Sequence, residues 1–313
     1  MKKFIGNEGK IKLIEKIAHS PRPEGSYIIA GPKGTGKKDA VAYFIKLLLG
    51  DQTSEAGIPA GAGQVYRITP KITKKIEKKK EKIREKDITV GQIREAISFM
   101  NLKSLKSSFM VCVIERAEKM HVSAQNALLK SLEEPKRGNV FLLVTESERK
   151  LLPTIQSRSA IIKFGLSNPE KIFQQLIEEG IAQEDARKIA YYSWGKSEYS
   201  QKLMENRESL QVLERAEKSF LELIQAPLFK KMGYLEQEND SRKILQKVDL
   251  WISFLLANLE EKFTGDFSIV RETSRFGLES QEMVSLLENF LELRKKLKYT
   301  NASPKLALEV AWL

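Results

Sequence analysis

Short apolar runs alternate with amphipathic stretches through the first half of the chain. SYIIA precedes KKDAVAYFIKLLL, VYRIT precedes GQIREAISFMN, SFMVCVI precedes SAQNALLKSLEE, and VFLLVT is followed by a turn and AIIKF. Strand-sized runs separated by helix-sized amphipathic segments predict a parallel α/β sheet. After Phe164 the strand signals stop. Ser167 and Asn168 offer capping side chains ahead of Pro169, a residue suited to a first helical turn, and Gly180 ends PEKIFQQLIEEG. EDARKIAYYSW leads to Gly195, and long helical patterns such as WISFLLANLEEKF and EMVSLLENFLELRKKLKY fill the remainder. The predicted plan is an α/β domain over residues 1–165, a small helical domain over 166–207 and a larger all-helical domain over 208–313. Residues 50–64, rich in Gly and Ala and without a period, read as a loop.

With 313 residues, 42% of them hydrophobic, the chain has material for two or three cores, which excludes wholesale disorder and a collagen-like fibre. The formal charge is +12, and its distribution says more than its total. Half of it comes from Lys71 to Lys86, which holds nine basic and three acidic residues. Ile72, Ile76 and Ile83 near helical spacing, with Glu77, Glu81 and Glu85 every four residues, predict an exposed charged helix. Two uses stay open for this arm: a solvated projection, or a phosphate-backbone contact with DNA that gains affinity by counterion release. It carries no interleaved aromatic residue for base stacking.

Cys112 is the one cysteine, so the chain has no internal disulfide and no cysteine-based zinc site, and His19 and His121 are isolated; no metal site is expected. No stretch approaches the roughly 18 consecutive apolar residues of a membrane span. MKKFIGNEGK has charge with no apolar segment behind it, so the sequence reads as a soluble cytoplasmic protein.

Directly after the first predicted strand comes GPKGTGKK, Gly31 to Lys38, followed by a helical pattern. In this context GxxxxGK is a phosphate-binding loop: Gly31, Gly34, Thr35, Gly36 and Lys37 would wrap phosphates with backbone N–H groups and an ammonium, at a helix N-terminus. The following position, which ligates magnesium through a Ser or Thr hydroxyl in hydrolysing sites, is Lys38, and Asp39 faces another way round the helix. The apolar strand that should end in two acidic residues ends in Glu115 and Arg116; Glu115 could hold a metal weakly, whereas a guanidinium is no base at any accessible pH. ATP hydrolysis by this site is not expected, while binding of ATP or ADP without turnover stays open.

AEKMHVSAQNALLKSLEEPKRGNVFLLVTESERKLLPTIQSRSAIIKF resembles the clamp-loader branch of the AAA+ ATPases, most closely the delta-prime type of bacterial DNA polymerase III; the C-terminal stretch from Asn301 resembles that family's final collar helix. The resemblance implies an AAA+ domain followed by a helical lid and a helical collar. It implies a ring assembled with gamma or tau ATPase subunits and a delta subunit, loading a sliding clamp on primed DNA. Ser157, Arg158 and Ser159 align with the family's Ser-Arg-Cys motif, so Arg158 would reach a neighbour's ATP site, where a planar cation can meet developing phosphoryl charge. Thr145 matches the first sensor position and Lys196 falls where the second sensor usually has arginine. Many relatives carry a four-cysteine zinc module after the loop helix; DQTSEAGIPAGAGQ has no cysteine, so zinc is not expected. Two alternatives stand beside this reading: a gamma-type ATPase, and a stand-alone nucleic-acid-binding protein using the lysine arm.

Overall fold

The computed structural model describes the backbone of residues 6–50, 64–77, 80–102, 109–227, 229–231, 241–264, 277–300, 307 and 310–312. The loop expected over 50–64 and most of the C-terminal stretch from Asn301 lie outside those residues. The chain divides into two compact units, one of residues 1–167 with 196–198 and one of residues 168–195 with 199–313.

In the first unit, helix α1 (Glu8–Ala18) leads to strand β1 (Gly25–Ala30), helix α2 (Lys37–Leu49) and strand β2 (Val65–Ile68). Strands β3 (Ile72–Glu77) and β4 (Lys80–Glu85) follow, then α3 (Val90–Met100), β5 (Met110–Ile114), α4 (Val122–Glu133), β6 (Asn139–Thr145), the short α5 (Pro153–Gln156) and β7 (Ala160–Lys163). The sheet has the order β2-β5-β6-β1-β7, and every pairing in it is parallel. The central strands β5 and β6 are buried along their whole length, as expected for apolar runs covered on both faces. Alternate residues serve opposite layers. Ile28, Cys112, Ile114, Phe141 and Leu143 pack with Ile93, Leu128 and Leu132 of α3 and α4, while Tyr27, Ile29, Val113, Leu142 and Val144 pack with Ile14, Phe44 and Ile45 of α1 and α2. A capping box between Thr89 and Gln92 starts α3, and the His121 ring accepts from Ser123 N–H to start α4, which gives one of the two histidines a structural task.

Residues 71–86 do not form the expected helix. β3 and β4 make a separate two-stranded antiparallel hairpin, with Ile72 opposite Glu85 and Glu77 opposite Lys80. A spacing of four residues fits one side of a helix, but it also returns to the same face of a strand, so the recurring Ile and Glu positions satisfied both periods. The β-branched Ile72, Thr73, Ile76 and Ile83 favour the extended form.

The second unit is helical: α6 (Pro169–Glu178), α7 (Gln183–Tyr192), most of α8 (Ser197–Glu205), α9 (Arg207–Gln225), α10 (Ser241–Thr264) and α11 (Ser280–Tyr299). Asn168 and Asn206 cap α6 and α9 through their side-chain oxygens. Phe220 of α9 stacks on Trp251 of α10 at 5.3 Å, and Phe290 of α11 meets Trp251 at 5.3 Å and Trp312 at 5.0 Å.

Candidate functional site

The parallel order puts the ends of β1, β5 and β6 along one edge of the sheet, where α/β proteins bind their ligands. The loop after β1 occupies this edge: Ala30 pairs with Thr145 at the end of β6 and with Lys163 at the end of β7. Gly31 sits at φ 148°, and a β-carbon there would come within 2.1 Å of Phe164 O, so no side chain fits. Gly36, at φ 83°, precedes α2 and supplies no side-chain cap, so the helix begins with backbone at its N-terminus, a geometry that suits an anion. Thr35 is buried and donates its hydroxyl to Pro32 O at 2.9 Å.

Lys37 is 8% exposed and turns back on its own loop, donating to Gly31 O and, at 2.6 Å, to Pro32 O. Burial lowers its pKa, against the raising pull of Glu146, Glu118 and Glu198. Lys38, the next residue in the same first turn of α2, is exposed. Lys196 comes to this loop because residues 196–198 pack with the first unit: Glu198 N–H donates to Gly34 O at 3.0 Å, and a β-carbon on Gly34 would meet Lys196 Cβ at 3.3 Å. Thr145 is 1% exposed, and its hydroxyl is exchanged with Ser147, donating to Ser147 O at 3.0 Å and accepting from Ser147 N–H at 3.2 Å. The structure therefore gathers Gly31, Gly34, Thr35, Gly36, Lys37, Thr145 and Lys196 around one loop.

The acidic partner on β5 is differently committed. Glu115 forms an ion pair with Arg67 of β2, which the sequence reading did not anticipate. Arg116 takes a left-handed backbone, φ 53°, and the turn it makes carries Glu118 inward. The Glu118 side chain is 4% exposed; neither carboxylate oxygen accepts a hydrogen bond, and Arg116 Nε stands 3.5 Å away. A buried carboxyl this poorly satisfied is uncommon. Its sequence signal is slight, one Glu in an exposed-looking AEK.

Arg158 is not gathered to the loop. The hydroxyl of the next residue, Ser159, lies 2.7 Å from that of Ser26, at the opposite end of β1. Ser26 and Gly31 are separated by five strand steps, about 16 Å at ~3.3 Å per residue. Arg158 follows α5 and pairs with Glu133 at the end of α4, with Nε 2.7 Å and Nη2 2.5 Å from Oε1, and Nη1 donates to Thr154 O at 3.0 Å. Glu133 had no signal of its own beyond its place in SLEEP.

Asn7 is a further residue that patterning missed. It is 4% exposed and clasps the Gly165 backbone both ways, Nδ2 donating to Gly165 O and Oδ1 accepting from Gly165 N–H, each at 3.1 Å. Nδ2 also stands 3.5 Å from Thr35 O in the loop after β1. Among the described residues no group of three or more His, Cys, Asp or Glu is arranged to hold a metal, and no helix is long and apolar enough to cross a membrane.

Residues 6–167 match the protein family described as DNA polymerase III, delta subunit. A DNA polymerase III subunit delta' of Pseudomonas aeruginosa is 33% identical over 133 residues, which are 42% of this chain and 40% of that protein. The delta' subunit of Bacillus subtilis is 29% identical over 185 residues, 58% of this chain and 54% of that protein. The chain thus spans about half the length of these relatives. A DNA polymerase III subunit gamma of Buchnera aphidicola subsp. Schizaphis graminum is 27% identical over 305 residues, 95% of this chain and 77% of that protein. Among solved structures, a gamma subunit-related protein of Thermotoga maritima covers 97% of both chains with a TM-score of 0.51 at 19% identity, a likeness of fold. The architecture is an α/β AAA+ domain followed by a helical region.

Proposed function

The chain belongs to the DNA polymerase III delta-subunit family, and from that premise we propose that it is a delta-prime-type clamp-loader subunit that contributes Arg158 to a neighbour's ATP site and does not hydrolyse ATP itself. One observation carries the reading. Arg158 stands at the end of β1 remote from its own phosphate loop, too far to act there yet exposed to a partner. The neighbour would be a gamma or tau ATPase, in a ring with a delta subunit that places a sliding clamp on primed DNA in the cytoplasm. The three-part division at 165 and 207 belongs to the same proposal. The hairpin of β3 and β4, in its lysine-rich setting, would supply a salt-sensitive contact with the DNA backbone.

A nucleotide fits this chain's own loop in one half only. The phosphates suit Gly31, Gly34, Thr35, Gly36 and Lys37, with Lys37 trading two backbone carbonyls for phosphate oxygens. The metal half lacks its ligands: position 38 is an exposed ammonium, Glu115 is held by Arg67, and position 116 is a cation. Thr145 and Lys196 would sense an ATP or ADP that is bound and not turned over.

The gamma-type alternative is favoured by the Buchnera gamma likeness across 95% of the chain. Nucleotide binding and phosphate release by the isolated chain separate the two. Binding that Lys37→Ala removes, with no magnesium-dependent turnover above background, supports the proposal. Robust turnover abolished by Lys37→Ala would establish the gamma-type reading instead.

A further inference from the structure

We propose that Glu133 is a positioning residue for Arg158, holding its guanidinium ready for a phosphate presented by another subunit. The inference rests on the trans-arginine reading above. Arginine carries five N–H donors on a rigid plane. Two of them, on Nε and Nη2, converge on Glu133 Oε1, at 2.7 and 2.5 Å. That is the side edge of the group. Nη1 donates to Thr154 O at 3.0 Å and to the exposed Ser157 hydroxyl at 3.3 Å. The second N–H of Nη2 has no acceptor among the described residues and lies on the outer edge shared with Nη1; a phosphate oxygen can take it directly, and bidentate contact there requires Nη1 to give up one of its two present acceptors, the longer being the exposed Ser157 hydroxyl.

Both supports stand on elements fixed by the core. Leu128 and Leu132 anchor α4, and Ile155 anchors α5; all three are buried. The Glu133 carboxylate is itself 46% exposed, so it stays hydrated and can give way when an anion of higher charge reaches the guanidinium, although while paired it offsets part of the arginine's charge. What Glu133 contributes is orientation, and misplacing a reacting group by about 1 Å costs on the order of a hundredfold in rate.

The test is a loader reconstituted with its gamma-type ATPase, assayed for DNA-stimulated ATP turnover with wild-type chain, Glu133→Gln, Arg158→Ala and the double variant, and with assembly verified by size-exclusion chromatography. Arg158→Ala should lower turnover strongly. Glu133→Gln should lower kcat about tenfold with KM for ATP little changed, and should cost nothing further when Arg158 is already absent, because the two act as one unit. A purely structural Glu133 would give additive losses. If Arg158→Ala is damaging and Glu133→Gln leaves turnover unchanged or raises it, Glu133 is a spectator or a competitor and the positioning role is overturned while the trans-arginine reading stands. If Arg158→Ala has no effect in an intact assembly, that underlying reading falls and takes the positioning role with it.

Discussion

Replacing Glu217 probes what joins the helices of the second unit. Its side chain, on α9, is 4% exposed and accepts hydroxyl hydrogens from two consecutive tyrosines of α7, Tyr191 at 2.6 Å and Tyr192 at 2.7 Å. Asn258 of α10 donates to the Tyr191 oxygen at 3.2 Å, so one hydrogen-bonded chain through that tyrosine links three helices. Glu217→Ala would leave two buried hydroxyls without an acceptor, at ~1–3 kcal/mol each. It would also forfeit about 0.8 kcal/mol for each lost methylene. Relief of the buried charge offsets part of this. The net expectation is a loss of about 2–4 kcal/mol, whereas Glu217→Gln, of the same shape, should stay within about 1 kcal/mol of wild type. All three tryptophans, Trp194, Trp251 and Trp312, belong to this unit, so tryptophan fluorescence during urea unfolding reports it selectively. Burial raises the Glu217 pKa above its ordinary 4.5, outweighing the tyrosine hydrogen bonds that lower it. The folded chain therefore holds the proton more tightly than the unfolded chain. The resulting stabilisation is complete below the unfolded pKa and is lost as pH rises through the folded value. Glu217→Gln should remove that slope. An alanine variant as stable as wild type, or a glutamine variant as damaged as alanine, would refute the reasoning.

Gly31→Ala should cost several kcal/mol or abolish soluble expression, because a β-carbon would lie 2.1 Å from Phe164 O; a thermal midpoint equal to wild type would contradict the loop geometry. Cys112 is fully buried and burial pushes its thiol up to about 12, so it should resist a thiol reagent at pH 8 in the native chain and react on unfolding. Removing residues 71–86 should leave cooperative unfolding intact, since the hairpin is a sheet of its own, and should flatten any salt dependence of DNA binding. Loss of cooperativity would make the hairpin part of the core.

The sheet was legible because central parallel strands must be apolar on both faces, so SYIIA, FMVCVI and VFLLVT could be little else. The tight glycine loop after β1 was legible because its glycines answer a steric demand, seen at Gly31 against Phe164 O. The hairpin was not, since a four-residue repeat is common to both periods and charge spacing cannot choose between them. The site's paired residues were hidden for a different reason. Glu133, Arg67 and Asn7 meet their partners across 25, 48 and 158 residues of sequence, and no local pattern encodes such a meeting. Glu118 is buried by the left-handed turn at Arg116, a conformation uncommon for any residue but glycine.

The central claim is that this chain acts on a neighbour's ATP and not on its own. Its most direct test compares ATP turnover of an assembled loader carrying Arg158→Ala with one carrying Lys37→Ala. The account predicts a fall on the order of 10³ for Arg158→Ala at the neighbour's site, the lower end of the scale of an arginine supplied in trans. It predicts little change for Lys37→Ala. The reverse pattern, turnover lost with Lys37 and kept without Arg158, would contradict it.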